Sequence, residues 1–224
     1  MNAPPSVDWD AIEACVLDMD GTLLDLNFDD HVWNIVLPQF FAAQNEITIE
    51  AARSHVRSTL DQKRGSLQWY CFEHWTRVFD VEMSKVEEHV ESLIKRHSDS
   101  TEFLEFIAAK PCRRVLATNA HPWSLERKLE KTGIGEYFHA VVSAHEYGFP
   151  KEDDRFWGTF FKTLDLDPQR TLFIDDNEAV LASARSFGVA HVFGVTHPNS
   201  RGEAKSYDDF VGLDSLAQLV PGST

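Results

Sequence analysis

A short apolar run, Ala14 to Leu17, stops abruptly at Asp18. A run of this length fits a buried strand, and Gly21 soon after it permits a sharp turn. Beyond Asp25 the spacing of apolar residues changes to the helical period and keeps it for about eighty residues. Residues 29–44 carry Val32, Trp33, Val36, Phe40 and Phe41, and residues 48–61 carry a weaker stripe that ends near Lys63-Arg64-Gly65. Residues 66–79 place Leu67, Tyr70, Cys71, His74, Trp75 and Val78 on one stripe. Residues 84–97 open with Ser84 and Glu87, spaced as a capping box, ahead of Val86, Val90, Leu93 and Ile94. Four helices with short connections predict a small helical bundle.

From Thr101 the chain alternates instead. A helix near 101–110 leads to the strand RRVLATN (113–119), and Pro122 stands where a first helical residue belongs. That helix stops at Gly133. Strands at 140–144, 171–176 and 191–195 follow, separated by helices near 153–165 and 178–187. Such alternation predicts a parallel sheet with right-handed crossovers. The expected fold class is α/β, a Rossmann-like core with a parallel sheet and an inserted α-helical cap. Residues 1–25 and 102–224 form the core; residues 26–101 form the cap, entering directly after the first strand and lying above Asp18.

Composition narrows the function. The net charge of −15, from 21 Lys+Arg against 36 Asp+Glu, repels polyphosphate and argues against a nucleic-acid polymer as partner. Cys15, Cys71 and Cys112 form no CxxC pair and fit reduced thiols of a cytoplasmic protein. The first fourteen residues have neither a basic start nor an apolar stretch, so no signal peptide is expected. No apolar run reaches the length of a membrane span.

The chemistry begins at the end of the first strand. Alternation along a strand lets Asp18 and Asp20 start on one face, at the carboxyl edge where open α/β sheets place their ligands. An acidic turn, a calcium loop and an aspartyl-phosphate site are the competing readings. The calcium loop fails, because its fifth and sixth positions would be Thr22 and Leu23 rather than an oxygen ligand followed by Gly. Further polar residues converge on the same edge in sequence order. The 113–119 strand ends in Thr118-Asn119, Lys151 follows the third strand by a short loop, and the 171–176 strand ends in Asp175-Asp176.

This set, beginning with DMDGTL, resembles the motifs of the haloacid dehalogenase (HAD) superfamily of phosphohydrolases. The resemblance implies a Mg²⁺-dependent phosphomonoesterase. In it Asp18 is nucleophile and metal ligand, and Asp20 is the general acid and base, its backbone carbonyl a further ligand. Asp176 is the direct metal carboxylate, with Asp175 an inner- or outer-shell partner. Lys151 neutralises nucleophile and phosphate, while the Thr118 hydroxyl and Asn119 amide donate to phosphate oxygens. Four carboxylates and a phosphate ester cannot share a site without such cations. Dehalogenases generally lack the second aspartate, so Asp20 favours phosphoryl transfer.

The blocks LQWYCFEHW, ATNAHPWSLERKLEKTGI and EYGFPKEDDRFW resemble the bacterial GMP/IMP 5′-nucleotidase family. That resemblance, and not the spacing, implies a purine nucleoside monophosphate as the small-molecule substrate. Trp69 is then either a packed aromatic or a platform for the base, and His121 either lines the cleft or caps the Pro122 helix. His145 and Tyr147, ahead of Lys151, are further candidates to face the cleft, and Gln68, Lys63 and Arg64 are candidate donors to the base, the last two otherwise a solvated turn. A β-phosphoglucomutase-like phosphomutase and a broad-range sugar-phosphate phosphatase are the alternatives. Either a monomer or a homodimer is compatible with the sequence.

Overall fold

A strand with no polar residue must be covered on both faces, and β1 (Ala14–Leu17) is buried throughout. The structure, a computed structural model, describes residues 7–222. Residues 1–6 and 223–224, the two ends of the expected core segment and the start of the stretch read as lacking a signal peptide, lie outside the described residues. Among the described residues β1 lies inside a six-stranded sheet with β2 (Arg113–Thr118), β3 (Ala140–Ser143), β4 (Thr171–Asp175), β5 (His191–Val195) and β6 (Val211–Leu213). The order is β3-β2-β1-β4-β5-β6, and every pairing is parallel. The chain turns outward in opposite directions from β1, so the carboxyl ends of β1, β2 and β4 meet at a topological switch point.

Alternation divides the sheet between two apolar layers. Cys15 and Leu17 pack with α6 (Ser100–Ala108) and α7 (Pro122–Thr132), through Phe103, Leu104, Ile107 and Leu125. Val16 points the other way, into a layer with Phe156, Trp157, Phe160 and Leu181 from α8 (Asp154–Leu164) and α9 (Glu178–Phe187). Pro122 opens α7 and Gly133, at φ +67°, closes it, as the sequence predicts.

The residues between β1 and α6 are helical and have their own apolar cluster, built on Phe28, Val56, Phe72, Trp75, Phe79 and Met83. Helix α1 (Asn27–His31) continues through a π-helical turn at Val32–Val36 into α2 (Leu37–Asn45). Helix α3 (Ile49–Asp61) is capped by the Thr48 side chain, which accepts from the Ala51 N–H. Two expectations are corrected here. The helix expected over 66–79 is interrupted: Leu67–Tyr70 is a 3₁₀ turn, Cys71 is extended, and α4 spans Phe72–Phe79. The break brings Phe72 and Phe79 onto the buried face beside the expected Trp75 and leaves Val78 43% exposed. The helix expected over 84–97 is only α5 (Met83–Glu88) followed by a 3₁₀ turn, Glu91–Leu93. Ser84 and Glu87 form no capping box there; Glu87 is buried and accepts from Ser124 Oγ of α7 at 2.8 Å.

Two chain segments join this helical layer to the sheet, and they run antiparallel. Leu24 bridges Arg96, the Asp25 N–H donates to Lys95 O, and the His97 N–H donates to Leu23 O, each bond 2.9 Å. The loop after β5 seals the pair, since the Leu26 N–H reaches Pro198 O at 2.9 Å and the Ser200 N–H reaches Asp25 Oδ1 at 3.0 Å. Among the described residues no helix is long and apolar enough to cross a membrane.

Candidate active site

The strand ends deliver the predicted residues to one place. Asp18 follows β1 and is 5% exposed; its N–H donates to Ile174 O of β4 at 3.0 Å. Lys151 lies between the strands with 2% of its surface exposed. Its ammonium donates to Asp18 Oδ1, to Asp175 Oδ2 at 2.7 Å and to Ala117 O at 3.0 Å. Burial alone would lower the Lys151 pKa; the carboxylates of Asp175 and Asp18 outweigh it and hold it above the ordinary lysine value. Carboxylate oxygens of Asp18, Asp175 and Asp176 all lie within 4.8 Å of one another.

Burial pushes the Asp18 carboxyl well above its usual range, against the pull of Lys151. It also pushes Asp176 up to about 6, with Lys205 opposing. Three buried carboxylates facing one buried lysine are an arrangement short of positive charge. Their hard oxygen donors suit a divalent cation such as Mg²⁺, which would restore the charged forms. Gly21 makes the packing possible. Its φ is +84°, and a Cβ there would stand 2.7 Å from Asp176 Cγ.

Thr118 is 1% exposed at the end of β2; its Oγ1 accepts from the Ala120 N–H at 3.0 Å, and its hydroxyl hydrogen has no acceptor among the described residues. Both ends of the Asn119 side-chain amide are engaged. Its carbonyl accepts from the Lys151 N–H at 2.9 Å, and its amide donates to Glu152 Oε2 at 2.8 Å. Glu152 also accepts from Tyr70 Oη at 2.9 Å, tying the helical layer to the site.

His121 caps α7 by accepting from the Trp123 N–H at 3.3 Å. Its ring also stacks on Phe72 at 4.6 Å and pairs with Glu73, so it stands at the junction between helical layer and sheet. Trp69 does not join this group by a hydrogen bond or ring contact; it packs partly buried against the helical cluster, with Arg64 5.1 Å above its ring.

Two lysines went unread in the sequence. Lys205 reaches back from the loop after β5 to Asp176, at 2.6 Å from Oδ2 and 3.0 Å from the carbonyl. It lies in a segment with no periodicity, and nothing local marks it. Lys128 of α7 contacts Asp20. Its signal was a charged residue on the buried stripe of an amphipathic helix, beside Ser124 and Leu125.

A family model described as haloacid dehalogenase-like hydrolase matches residues 12–188. The GMP/IMP nucleotidase YrfG of Escherichia coli K12 is 35% identical over 216 residues, 96% of this chain and 97% of that protein. A phosphorylated carbohydrates phosphatase of Thermotoga maritima is 21% identical over 203 residues, 86% of this chain and 89% of that one. A HAD phosphatase from Thermococcus onnurineus superposes with a TM-score of 0.77 at 20% identity, covering 92% of this chain and 95% of its own. The family match reaches from the first strand to the end of α9, the stretch that supplies Asp18, Thr118, Lys151 and Asp176, and on that ground the chain belongs to the haloacid dehalogenase-like hydrolases.

Proposed function

We propose that this hydrolase is a Mg²⁺-dependent phosphomonoesterase acting on purine nucleoside 5′-monophosphates. The observation that carries the chemistry is the pairing of Asp18 with a buried lysine, Lys151, beside Asp175 and Asp176. The purine rests on the extensive similarity to a GMP/IMP nucleotidase. In this reading residues 1–25 and 102–224 are the catalytic core, and residues 26–101 are a cap over the strand ends.

Asp18, Asp176, Asp175 and the Asp20 carbonyl would hold the metal, which supplies charge neutralisation and orientation for the phosphate when bound. Lys151 neutralises charge on Asp18 and on the phosphate, and the free Thr118 hydroxyl hydrogen binds a phosphate oxygen. A carboxylate oxygen of Asp18 attacks phosphorus in line. As that bond forms, the ester P–O bond breaks, its electron pair passes to the nucleoside O5′, and Asp20 protonates that oxygen. Asp20, now a carboxylate, takes a proton from water, which attacks the aspartyl-phosphate. Inorganic phosphate leaves and Asp18 is regenerated.

Inosine and guanosine monophosphates carry a 6-oxo group where adenosine monophosphate carries an amine. A donor aimed at the oxo group would face another donor, and an unpaired buried polar group costs about 1–3 kcal/mol, or roughly 5- to 150-fold in rate. Comparing kcat/KM for inosine, guanosine, adenosine and cytidine monophosphates, with sugar phosphates alongside, tests the reading. The expected order puts the 6-oxopurines first. Equal values for all would remove the base from the argument, and phosphate retained on a sugar would favour a mutase.

A further inference from the structure

Lys128 stands midway along α7 with 1% of its surface exposed. Its ammonium donates to Asp20 Oδ1 at 2.7 Å and to Asp29 Oδ1 of α1 at 2.8 Å, and it lies 4.9 Å from the centroid of the Phe28 ring. Burying an ammonium costs several kcal/mol, and a buried charged triad is commonly no more stable than apolar residues of the same volume. Fold stability alone therefore gives little reason for a lysine at this position. Asp20 does not need it for solvation either, since its side chain is still 19% exposed. The contact does fix one thing: where the Asp20 carboxylate sits. Among the described residues Lys128 is its side-chain hydrogen-bonding partner, and it holds Oδ1 and leaves Oδ2 without a hydrogen bond.

We propose that Lys128, anchored by Asp29, is a positioning residue that holds Asp20 for proton transfer to the leaving oxygen. The proposal rests on the assignment of Asp20 made above. One carboxylate oxygen is held by Lys128, whose ammonium Asp29 of α1 anchors in turn, and the other is left to carry the proton. When the bond from Asp18 to phosphorus forms and the ester bond breaks, the leaving oxygen takes that proton and Asp20 becomes an anion. An ammonium 2.7 Å away favours this charge as it develops, so its effect is larger in the transition state than in the ground state. Asp29 prevents the flexible lysine from swinging toward the phosphate.

The test varies the leaving group. Inosine 5′-monophosphate releases an alcohol and needs the proton; its analogue with sulfur as the bridging 5′ atom releases a thiol of pKa about 8.5 and departs without one. The measured quantity is kcat/KM, which covers only the steps up to transfer onto Asp18. For Lys128→Met, the oxygen ester should lose about 100-fold and the sulfur ester about threefold. Asp29→Asn should show the same selectivity at about tenfold on the oxygen ester. Lys128→Arg should recover part of the loss. Circular dichroism and melting establish that each variant folds, and Asp29→Asn, which keeps the lysine, carries the comparison should Lys128→Met not fold. Equal losses on both esters in a folded variant, or no loss, would overturn the positioning role. A wild-type protein that releases phosphate from neither ester would overturn the reading of the site itself.

Discussion

Adding one methyl group at Gly21 probes the acidic cluster from its tightest side. The φ of +84° lies in the left-handed region, which costs an L-residue roughly 1–2 kcal/mol. The new Cβ would also stand 2.7 Å from Asp176 Cγ and 3.0 Å from both carboxylate oxygens. Ordinary contact requires about 3.5 Å, so the carboxylate must retreat by roughly 0.8 Å. It has little room to do so: its Oδ2 accepts from Lys205 at 2.6 Å and its own backbone carbonyl is held by Tyr207 Oη at 2.9 Å. Gly65 is an internal control, with φ +76° and nothing within 4 Å of a Cβ. Gly21→Ala and Gly65→Ala should each lose roughly 1–2 kcal/mol to backbone strain, about 2–8 °C of melting temperature for a chain of this size. Only Gly21→Ala should in addition lose Mg²⁺ affinity, by tenfold or more, about 1.4 kcal/mol. Thermal melts in chelator and calorimetric Mg²⁺ titrations separate the two effects. Wild-type Mg²⁺ affinity in Gly21→Ala would refute the reasoning, because the displaced carboxylate would then have no part in the metal site.

Asp18→Asn should keep the fold, since it removes a charge that burial already disfavours, and should lower kcat by at least about a thousandfold; ready phosphate release by this variant would remove Asp18 as nucleophile. Chelator should abolish turnover and Mg²⁺ restore it, while excess Ca²⁺, with its looser shell, should inhibit; full activity in chelator counts against the metal. The Glu87 carboxyl is pushed up by burial from 4.5 to about 7, with Lys128 opposing and Asp20 reinforcing. The folded chain therefore holds a proton that the unfolded chain releases above pH 4.5, so stability falls as pH rises from there through 7. In Glu87→Gln, which can keep the Ser124 hydrogen bond, the melting temperature should fall less between pH 5 and 8; an unchanged slope would count against a buried, strained Glu87.

The carboxyl-edge residues were legible in the sequence because parallel strands compel convergence: once Ala14–Leu17, 113–119 and 171–176 are read as neighbouring strands, Asp18, Thr118 and Asp175 must meet. The α7 boundaries were legible because Pro122 and Gly133 carry their own backbone constraints. The helical layer was harder. Cys71 is an ordinary helix residue by composition, yet it is extended, and that single break kept Trp75 on the buried face but exchanged Tyr70, His74 and Val78 for Phe72 and Phe79. Ser84 and Glu87 had capping spacing, but packing took Glu87 inside to Ser124. Lys128 and Lys205 act across long sequence separations, and local periodicity carries no record of such partners. Strand β6, three residues with Val211 and Gly212 exposed, is too short for an alternation to register.

The antiparallel bridge between Leu24 and Arg96 has a consequence for how the molecule is divided energetically. Residues facing each other in such a pair have Cα atoms only about 5 Å apart. Everything between them is thus topologically a hairpin loop, closed at a bridge that lies outside the six-stranded sheet. Were that chain unfolded, closing so long a loop would cost the sheet only about 4 kcal/mol, since the entropy grows with the logarithm of loop length. The helical layer can accordingly vary in length with little change in the loop-closure cost to the core. The residues of the apolar helical cluster and those of the acidic strand ends are in this way carried on separately variable lengths of one chain.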